Sequence, residues 1–218
     1  RRTQKDMRTV KTGILAITPA RGGSKSIPRK NLVPLCGKPL IAWTIEAALA
    51  CPRIDRFVVS TEDREIAETS RRYGAEVIDR PPELALDDTD TLPVIQHALK
   101  IIPADIVVLL QCTSPVRGPK LIERAIDLFF TKQADSLGTG SPDLSYEYGV
   151  DMPPRQKIKP RLVDNGNVYV IRADLLMKGD RYGKRLATLE TSREESVDID
   201  EPFDLWLAEK ILAERTPG

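Results

Sequence analysis

Short apolar runs alternate with segments of helical period along most of this chain, and that alternation narrows the possible folds more than any other feature. Gly13 to Thr18, Arg56 to Ser60, Ala75 to Ile78 and Ile106 to Leu110 are runs rich in Val, Ile and Leu that suit strands. Between them, Leu40 to Ala50 carries Leu40, Ile41, Ile45, Ala48 and Leu49 on one helical side, and Leu92 to Ile101 and Pro119 to Phe130 repeat the pattern, the last with Pro119 near its first turn. Thr61, Glu62 and Asp63 mark a further helix start and Gly74 its end. Ile106 to Leu110 holds no polar residue, so both faces of that strand must be covered, as in parallel sheets flanked by helices. The expectation is an α/β protein with a doubly wound, mostly parallel sheet that binds its ligands at the carboxyl ends of the strands.

The alternation pauses from Ser136 to Asp164, where Pro142, Pro153, Pro154 and Pro160 fall in a stretch with no sustained period. Asn167 to Ile171 resumes as a strand, and Pro202 to Leu212 reads as a terminal helix with Phe203, Trp206, Leu207, Ile211 and Leu212 available for packing. A chain of 218 residues, 41% apolar and 30% charged, suits one globular domain over residues 7–218, with 138–164 as a short excursion. Arg1 to Asp6 precede Met7 and are set aside as an extension or remnant. Cys36, Cys51 and Cys112 form no C-x-x-C pair and leave one over, which argues against a zinc site or a disulfide framework and for a reducing cytoplasm. No apolar run is long enough to span a bilayer, so no membrane partner is expected.

Directly after the first strand comes Ala20-Arg-Gly-Gly-Ser-Lys-Ser-Ile-Pro-Arg-Lys-Asn31. Arg21, Lys25, Arg29 and Lys30 supply charge with no acid among them, while Gly22, Gly23 and Ser24 let backbone N–H groups converge on an anion. Such a loop suits a nucleoside triphosphate; the plainer alternative is a solvated basic turn. It is not a Walker loop, because G-x-x-x-x-G-K-[ST] is absent, and Gly138-Thr-Gly140 lacks the third glycine of a dinucleotide loop, having Asp143 there. Net charge is only +1, yet Glu194, Glu195, Asp198, Asp200, Glu201 and Asp204 crowd one acidic stretch. Separated basic and acidic segments suit a triphosphate with its metal, and no nucleic-acid partner is expected. Asp198 and Asp200 lie two apart in an extended stretch and share one face, so they can approach one Mg²⁺; alternatively they cap the helix that starts at Pro202. His97, the only histidine, reads as structural.

The basic loop, followed by Gly37-Lys-Pro-Leu-Ile41, resembles the signature of the sialic acid (acylneuraminate) cytidylyltransferase family. Further blocks match in order: Arg80-Pro-Pro-Glu-Leu-Ala85 with Asp88-Thr89, Leu110-Gln-Cys-Thr-Ser-Pro-Val-Arg117, Pro154-Arg-Gln156 through Asn165-Gly166, and Val197-Asp-Ile-Asp200. Ser26 stands where the family has Gly, and Cys112 where it usually has Pro. The resemblance implies a Rossmann-like nucleotidyltransferase fold. It also implies Mg²⁺-dependent transfer of CMP from CTP to the anomeric hydroxyl of a nine-carbon acidic sugar of sialic, legionaminic or pseudaminic type, releasing pyrophosphate.

Carried over residue by residue, the resemblance puts Arg21 near the α-phosphate, Lys25 and Lys30 on the triphosphate, and Asn31 on the ribose or phosphate. Arg80 with Thr89 and Thr91 corresponds to the part that reads cytosine, although Arg80 could simply pair with Glu83. Gln111 offers a donor and an acceptor to the sugar, and Arg155 corresponds to an arginine near phosphate and sugar. Asn165, Tyr169 and Tyr182 correspond to the sugar pocket, with a core or rim role equally open for Tyr182. Arg21, Lys30, Gln111 and Arg155 carry the catalytic expectation, and Asp198 and Asp200 the metal. Between Gly138 and Pro154 the chain is shorter than the family pattern, which there carries a dimerisation arm and a substrate-contacting lysine with no match here. The family also implies a homodimer. Competing readings are a cytidylyltransferase for KDO or another acidic sugar, and a non-catalytic nucleotide-binding regulatory module.

Overall fold

The computed structural model describes residues 13–118, 120–145, 149 and 153–215, with the side chain of Arg155 outside the description. In chain order the elements are β1 (Ile14–Pro19), a small hairpin of β2 (Pro34–Leu35) and β3 (Lys38–Pro39), α1 (Leu40–Leu49), β4 (Arg56–Thr61), α2 (Arg64–Arg72), β5 (Glu76–Asp79), α3 (Thr91–Ile101) and β6 (Ile106–Leu110). They continue as α4 (Leu121–Thr131), β7 (Ser136–Asp143), β8 (Arg161–Arg172), α5 (Ala173–Met177), β9 (Leu186–Glu190) and α6 (Pro202–Arg215). Seven strands form one sheet in the order β5-β4-β1-β6-β8-β7-β9. All are parallel except β8, which runs against both β6 and β7.

Strand parity divides the core. Ile14, Ala16, Phe57, Val59, Val108 and Leu110 point to a layer that contains Ile41 and Ile45 of α1, Ile66 of α2 and Ile122 and Ile126 of α4. Leu15, Ile17, Val58, Val107 and Leu109 point the other way, onto Ile95 and Leu99 of α3 and Leu176 of α5. Every residue of β6 is buried, as its unbroken apolar run requires. The sheet is therefore doubly wound. Its topological switch lies at β1, whose neighbours β4 and β6 are reached by crossovers in opposite directions.

Four expectations need correcting. Ser136 to Asp164 does not leave the sheet throughout: β7 occupies its start and β8 already begins at Arg161, with a bulge between Gly138 and Gly140. Pro119 lies outside the described residues, and α4 begins at Leu121 behind Lys120, which has φ 57°. On α6, Ala208 and Leu212 are the buried residues, whereas Phe203 and Trp206 stack on each other at 5.6 Å and remain exposed. Thr61 is the last residue of β4, and Asp63 caps α2 by accepting the Ile66 N–H at 2.9 Å.

Candidate active site

The basic loop leaves β1 at the carboxyl edge of the sheet and is held from several sides. Ile27 buries itself in a third apolar cluster with Val197, Ile199 and Ala208. Asn31 Nδ2 donates to Arg21 O at 2.9 Å, so in this structure Asn31 closes the loop on itself. Arg29 has φ 56° and reaches Asp63 at 2.5 and 3.0 Å and Glu65 at 2.7 Å, which pins it to the start of α2 and away from the cleft. Its guanidinium is the main reason the Asp63 carboxyl is held below the usual aspartate value. A Cβ on Gly22 would stand 2.5 Å from Asp63 Oδ2, so a side chain there would push Asp63 from its place between Arg29 and the start of α2.

Arg21, Gly23, Ser24, Lys25, Lys30, Asn31, Arg80, Thr89, Thr91, Gln111 and Asp200 line one cleft of about 550 Å³. This is the gathering at the strand ends that the sequence predicts. The cations are occupied by neighbouring acids. Arg21 Nη1 lies 3.3 Å and Lys25 Nζ 2.8 Å from Asp87, and Arg21 also donates to Leu86 O at 3.0 Å. Lys30 Nζ donates to Ile199 O at 2.7 Å and to Asp200 Oδ1 at 3.2 Å. The Lys25 contact, ahead of Arg21, holds the Asp87 carboxyl below its ordinary value. Arg80 pairs with Glu62 at 2.8 Å rather than with Glu83, and Thr89 Oγ1 is 3.5 Å from Glu83 O.

Gln111 belongs both to this cleft and to a second one of about 460 Å³, lined also by Ser141, Asp164, Asn165, Gly166, Tyr169 and Asp198. Gly166, at φ 70°, brings the β8 backbone close to the Gln111 side chain. Behind Gln111 lies Arg117, which donates to Gln111 O at 2.7 Å, Asn167 O at 3.2 Å and Thr44 Oγ1 at 2.8 Å. Burial pushes its guanidinium down to about 10. It ties the end of β6 and the middle of β8 to α1, a role the sequence did not reveal. Cys112, in the place of the family's Pro, is buried, and its thiol is pushed up to about 12 by that burial. It is no nucleophile at neutral pH.

Tyr169 donates to Asp164 at 2.9 Å, and burial ahead of that carboxylate raises its hydroxyl above the usual value. Asn165 spends its whole hydrogen-bonding capacity inside the protein. Nδ2 reaches Thr191 at 2.7 Å and Ser196 at 2.9 Å, and Oδ1 accepts from Thr139 at 2.7 Å and the Asn167 N–H at 3.2 Å. It shapes the second cleft and has no free group for a sugar. Tyr182 is 64% exposed and lines neither cleft, sitting instead beside Leu162 and Leu186 on the face of the β7–β9 strands. The Arg155 side chain lies outside the described residues. A larger hollow of about 660 Å³ opens at the opposite edge of the sheet, between Leu99, Phe130 and Met177, and none of the expected site residues lines it.

The Ile199 N–H donates to Thr113 O at 2.7 Å and holds the segment so that Asp200 lines the first cleft and Asp198 the second. Ser114 Oγ donates to Asp198 at 3.3 Å. Burial, followed by the neighbouring Asp200 carboxylate, raises the Asp198 carboxyl against the opposing hydrogen bonds from Thr113 and Ser114. At the start of α6 it is Asp204 that accepts the Asp200 and Glu201 N–H groups, at 3.0 and 2.8 Å. Asp200 thus faces Lys30 and the first cleft and Asp198 the adjoining second one, while Asp204 does the capping. Among the described residues no three His, Cys, Asp or Glu side chains converge on one point. A hard cation held here would complete its oxygen shell from phosphate and water, which is how Mg²⁺ binds. The donor set fits that ion.

A doubly wound sheet with a cation-lined cleft at its switch point defines the class, an α/β nucleotide-handling protein. A family model described as cytidylyltransferase matches residues 15–156, and the chain belongs to that family and with it to the nucleotidyltransferase enzymes. It is 35% identical to CMP-N,N'-diacetyllegionaminic acid synthase of Legionella pneumophila, over 91% of this chain and 96% of that protein. It is 41% identical to N-acylneuraminate cytidylyltransferase of Escherichia coli over 91% of this chain but 52% of that protein, so it spans about half the length of that relative. Among solved structures, CMP:2-keto-3-deoxy-manno-octonic acid synthetase complexed with CTP superposes with a TM-score of 0.77 at 18% identity, covering 94% of this chain and 100% of that one. That likeness speaks for the fold.

Proposed function

We propose that this chain transfers CMP from CTP to the anomeric hydroxyl of a nine-carbon acidic sugar and releases pyrophosphate. The observation that carries the reading is the meeting of two clefts at Gln111, one rich in cations and one lined by Tyr169, Asp164 and Asp198. Arg21, Lys25 and Lys30 would leave their acid partners for the triphosphate, with the Gly23 and Ser24 backbone completing the cradle. Arg80, beside Thr89 and Thr91, would read the base. Gln111 would orient the sugar so that its hydroxyl lies in line with the α-phosphorus, where positioning and charge neutralisation supply most of the rate. Mg²⁺ would be held by Asp198 and Asp200. When bound it would offset developing phosphate charge and favour loss of the hydroxyl proton.

The same proposal includes assembly as a homodimer in a reducing cytoplasm, supported by the family resemblance and by three cysteines that are free thiols. No helix among the described residues is long and apolar enough to cross a membrane. The Legionella relative, matched over nearly its whole length, favours a legionaminic-type acceptor. Pyrophosphate release should be assayed with CTP, Mg²⁺ and separate legionaminic, sialic, pseudaminic and KDO acceptors. Release that depends on a nine-carbon acceptor supports the reading; CTP binding with no turnover on any acceptor would favour a regulatory module.

A further inference from the structure

Three segments that leave the sheet at its carboxyl edge meet on one carboxylate. Glu62 follows β4 and divides its oxygens: Oε1 accepts the Gly22 N–H at 2.7 Å and Oε2 accepts Arg80 Nη2 at 2.8 Å. Gly22 belongs to the basic loop after β1, and Arg80 follows β5. Backbone bonds close the same junction, from Ala20 N–H to Ser60 O and from Arg80 N–H to Thr61 O, each at 2.9 Å.

The Arg80 side chain is only 4% exposed, and its Nε is buried without a hydrogen-bond partner among the described groups. A guanidinium withdrawn from water needs a paired carboxylate, so Glu62 both neutralises Arg80 and sets the direction of its plane. Glu62 is not needed to start α2, because Asp63 already caps that helix. A carboxylate beside a triphosphate site opposes an anionic ligand, so its position there calls for an offsetting role.

We propose that Glu62 is a positioning residue for nucleotide selection, fixing Arg80 against the phosphate loop so that base reader and phosphate cradle keep one spacing. The inference rests on the cytidine-nucleotide reading above. Glu62 touches neither base nor phosphate in this scheme. It acts through Arg80 and through the Gly22 N–H.

The test is a titration of CTP, UTP and inorganic tripolyphosphate against wild type, Glu62→Gln, Arg80→Ala and the double variant. Glu62→Gln keeps size and removes charge, and should lower the CTP:UTP affinity ratio about tenfold or more while changing tripolyphosphate affinity far less. Added to Arg80→Ala, it should lower the ratio no further, since both changes remove one interaction. The ratio is taken within one sample and is independent of the folded fraction. Glu62→Asp, which keeps the charge and shortens the reach, should give an intermediate value. A wild-type ratio in Glu62→Gln, or an equal fall in the Arg80→Ala background, overturns the proposal. If wild type itself binds CTP and UTP alike, the cytidine reading fails instead. The link is then read by amide exchange at Gly22, which must quicken in Arg80→Ala; unchanged exchange overturns it.

Discussion

Lys30 Nζ lies 3.2 Å from Asp200 Oδ1, so a cation assigned to the triphosphate and a carboxylate assigned to the metal neutralise each other across 170 positions of sequence. The Lys30 side chain is largely buried and also holds Ile199 O, whereas Asp200 is exposed. On the proposed binding of a metal–triphosphate complex, each partner would exchange the other for a stronger opposite charge.

Lys30→Ala should therefore lower kcat as well as weaken CTP, with tenfold lost for about every 1.4 kcal/mol of transition-state stabilisation removed. Asp200→Asn, which keeps shape, should demand far more Mg²⁺ for turnover. Steady-state kinetics across a Mg²⁺ series checks both. A rise in KM alone for Lys30→Ala would make it a binding residue only, and a wild-type Mg²⁺ curve for Asp200→Asn would remove that carboxylate from the metal site.

Asp87 holds Arg21 and Lys25 where the triphosphate is proposed to bind, so it would compete with substrate. These contacts are exposed and individually weak, and Asp87→Asn should tighten CTP by about two- to fivefold. The gain should shrink as salt is added, because screening already weakens the competing pair. Isothermal titration at low and high ionic strength reads both effects; weaker CTP binding by the variant would make Asp87 part of the site instead.

Asp135 anchors the far edge of the sheet, accepting Arg185 Nη2 at 3.0 Å and the N–H groups of Arg185 and Lys184 at 3.0 and 3.1 Å. Arg185, first by its side chain, lowers the Asp135 carboxyl from 3.8 to about 2. A depressed carboxyl contributes stability above its ordinary value and loses it as pH falls through the folded one. Asp135→Asn should thus melt below wild type at neutral pH, with the difference closing between about pH 4 and pH 2. A gap that persists at pH 2 would mean the carboxylate charge is not what holds β9.

The parallel half of the fold was legible because strands buried on both faces must be apolar runs, as Ile106 to Leu110 is. In the other half the core of β8 and the terminal helix α6 were legible, but β7 and β9 were not. β7 reads Ser-Leu-Gly-Thr-Gly-Ser-Pro-Asp, and its β-structure comes from pairing with β8 and β9 across a bulge, which leaves no apolar period to read. β9 alternates exposed and half-buried residues at the sheet edge and is held by the Asp135 contacts. At the site, the basic loop that lines the first cleft was legible because its cations and glycines are contiguous. Glu62 and Asp87 were not, since an acid near a helix start reads as helix chemistry and an acid in a polar loop as solvated surface. Asn165 was found by resemblance, and only its filled hydrogen bonds show that it shapes the cleft rather than presenting a group to a ligand.

The central claim is cytidylyl transfer, and the fate of the α-phosphorus of CTP tests it most directly. In a ³¹P NMR time course with CTP, Mg²⁺ and a nine-carbon acidic sugar, the α-phosphorus signal should move to that of a CMP–sugar phosphodiester as pyrophosphate appears in equal amount. Conversion of CTP to free CMP, or to CDP and phosphate, at the same rate with and without the sugar would contradict it.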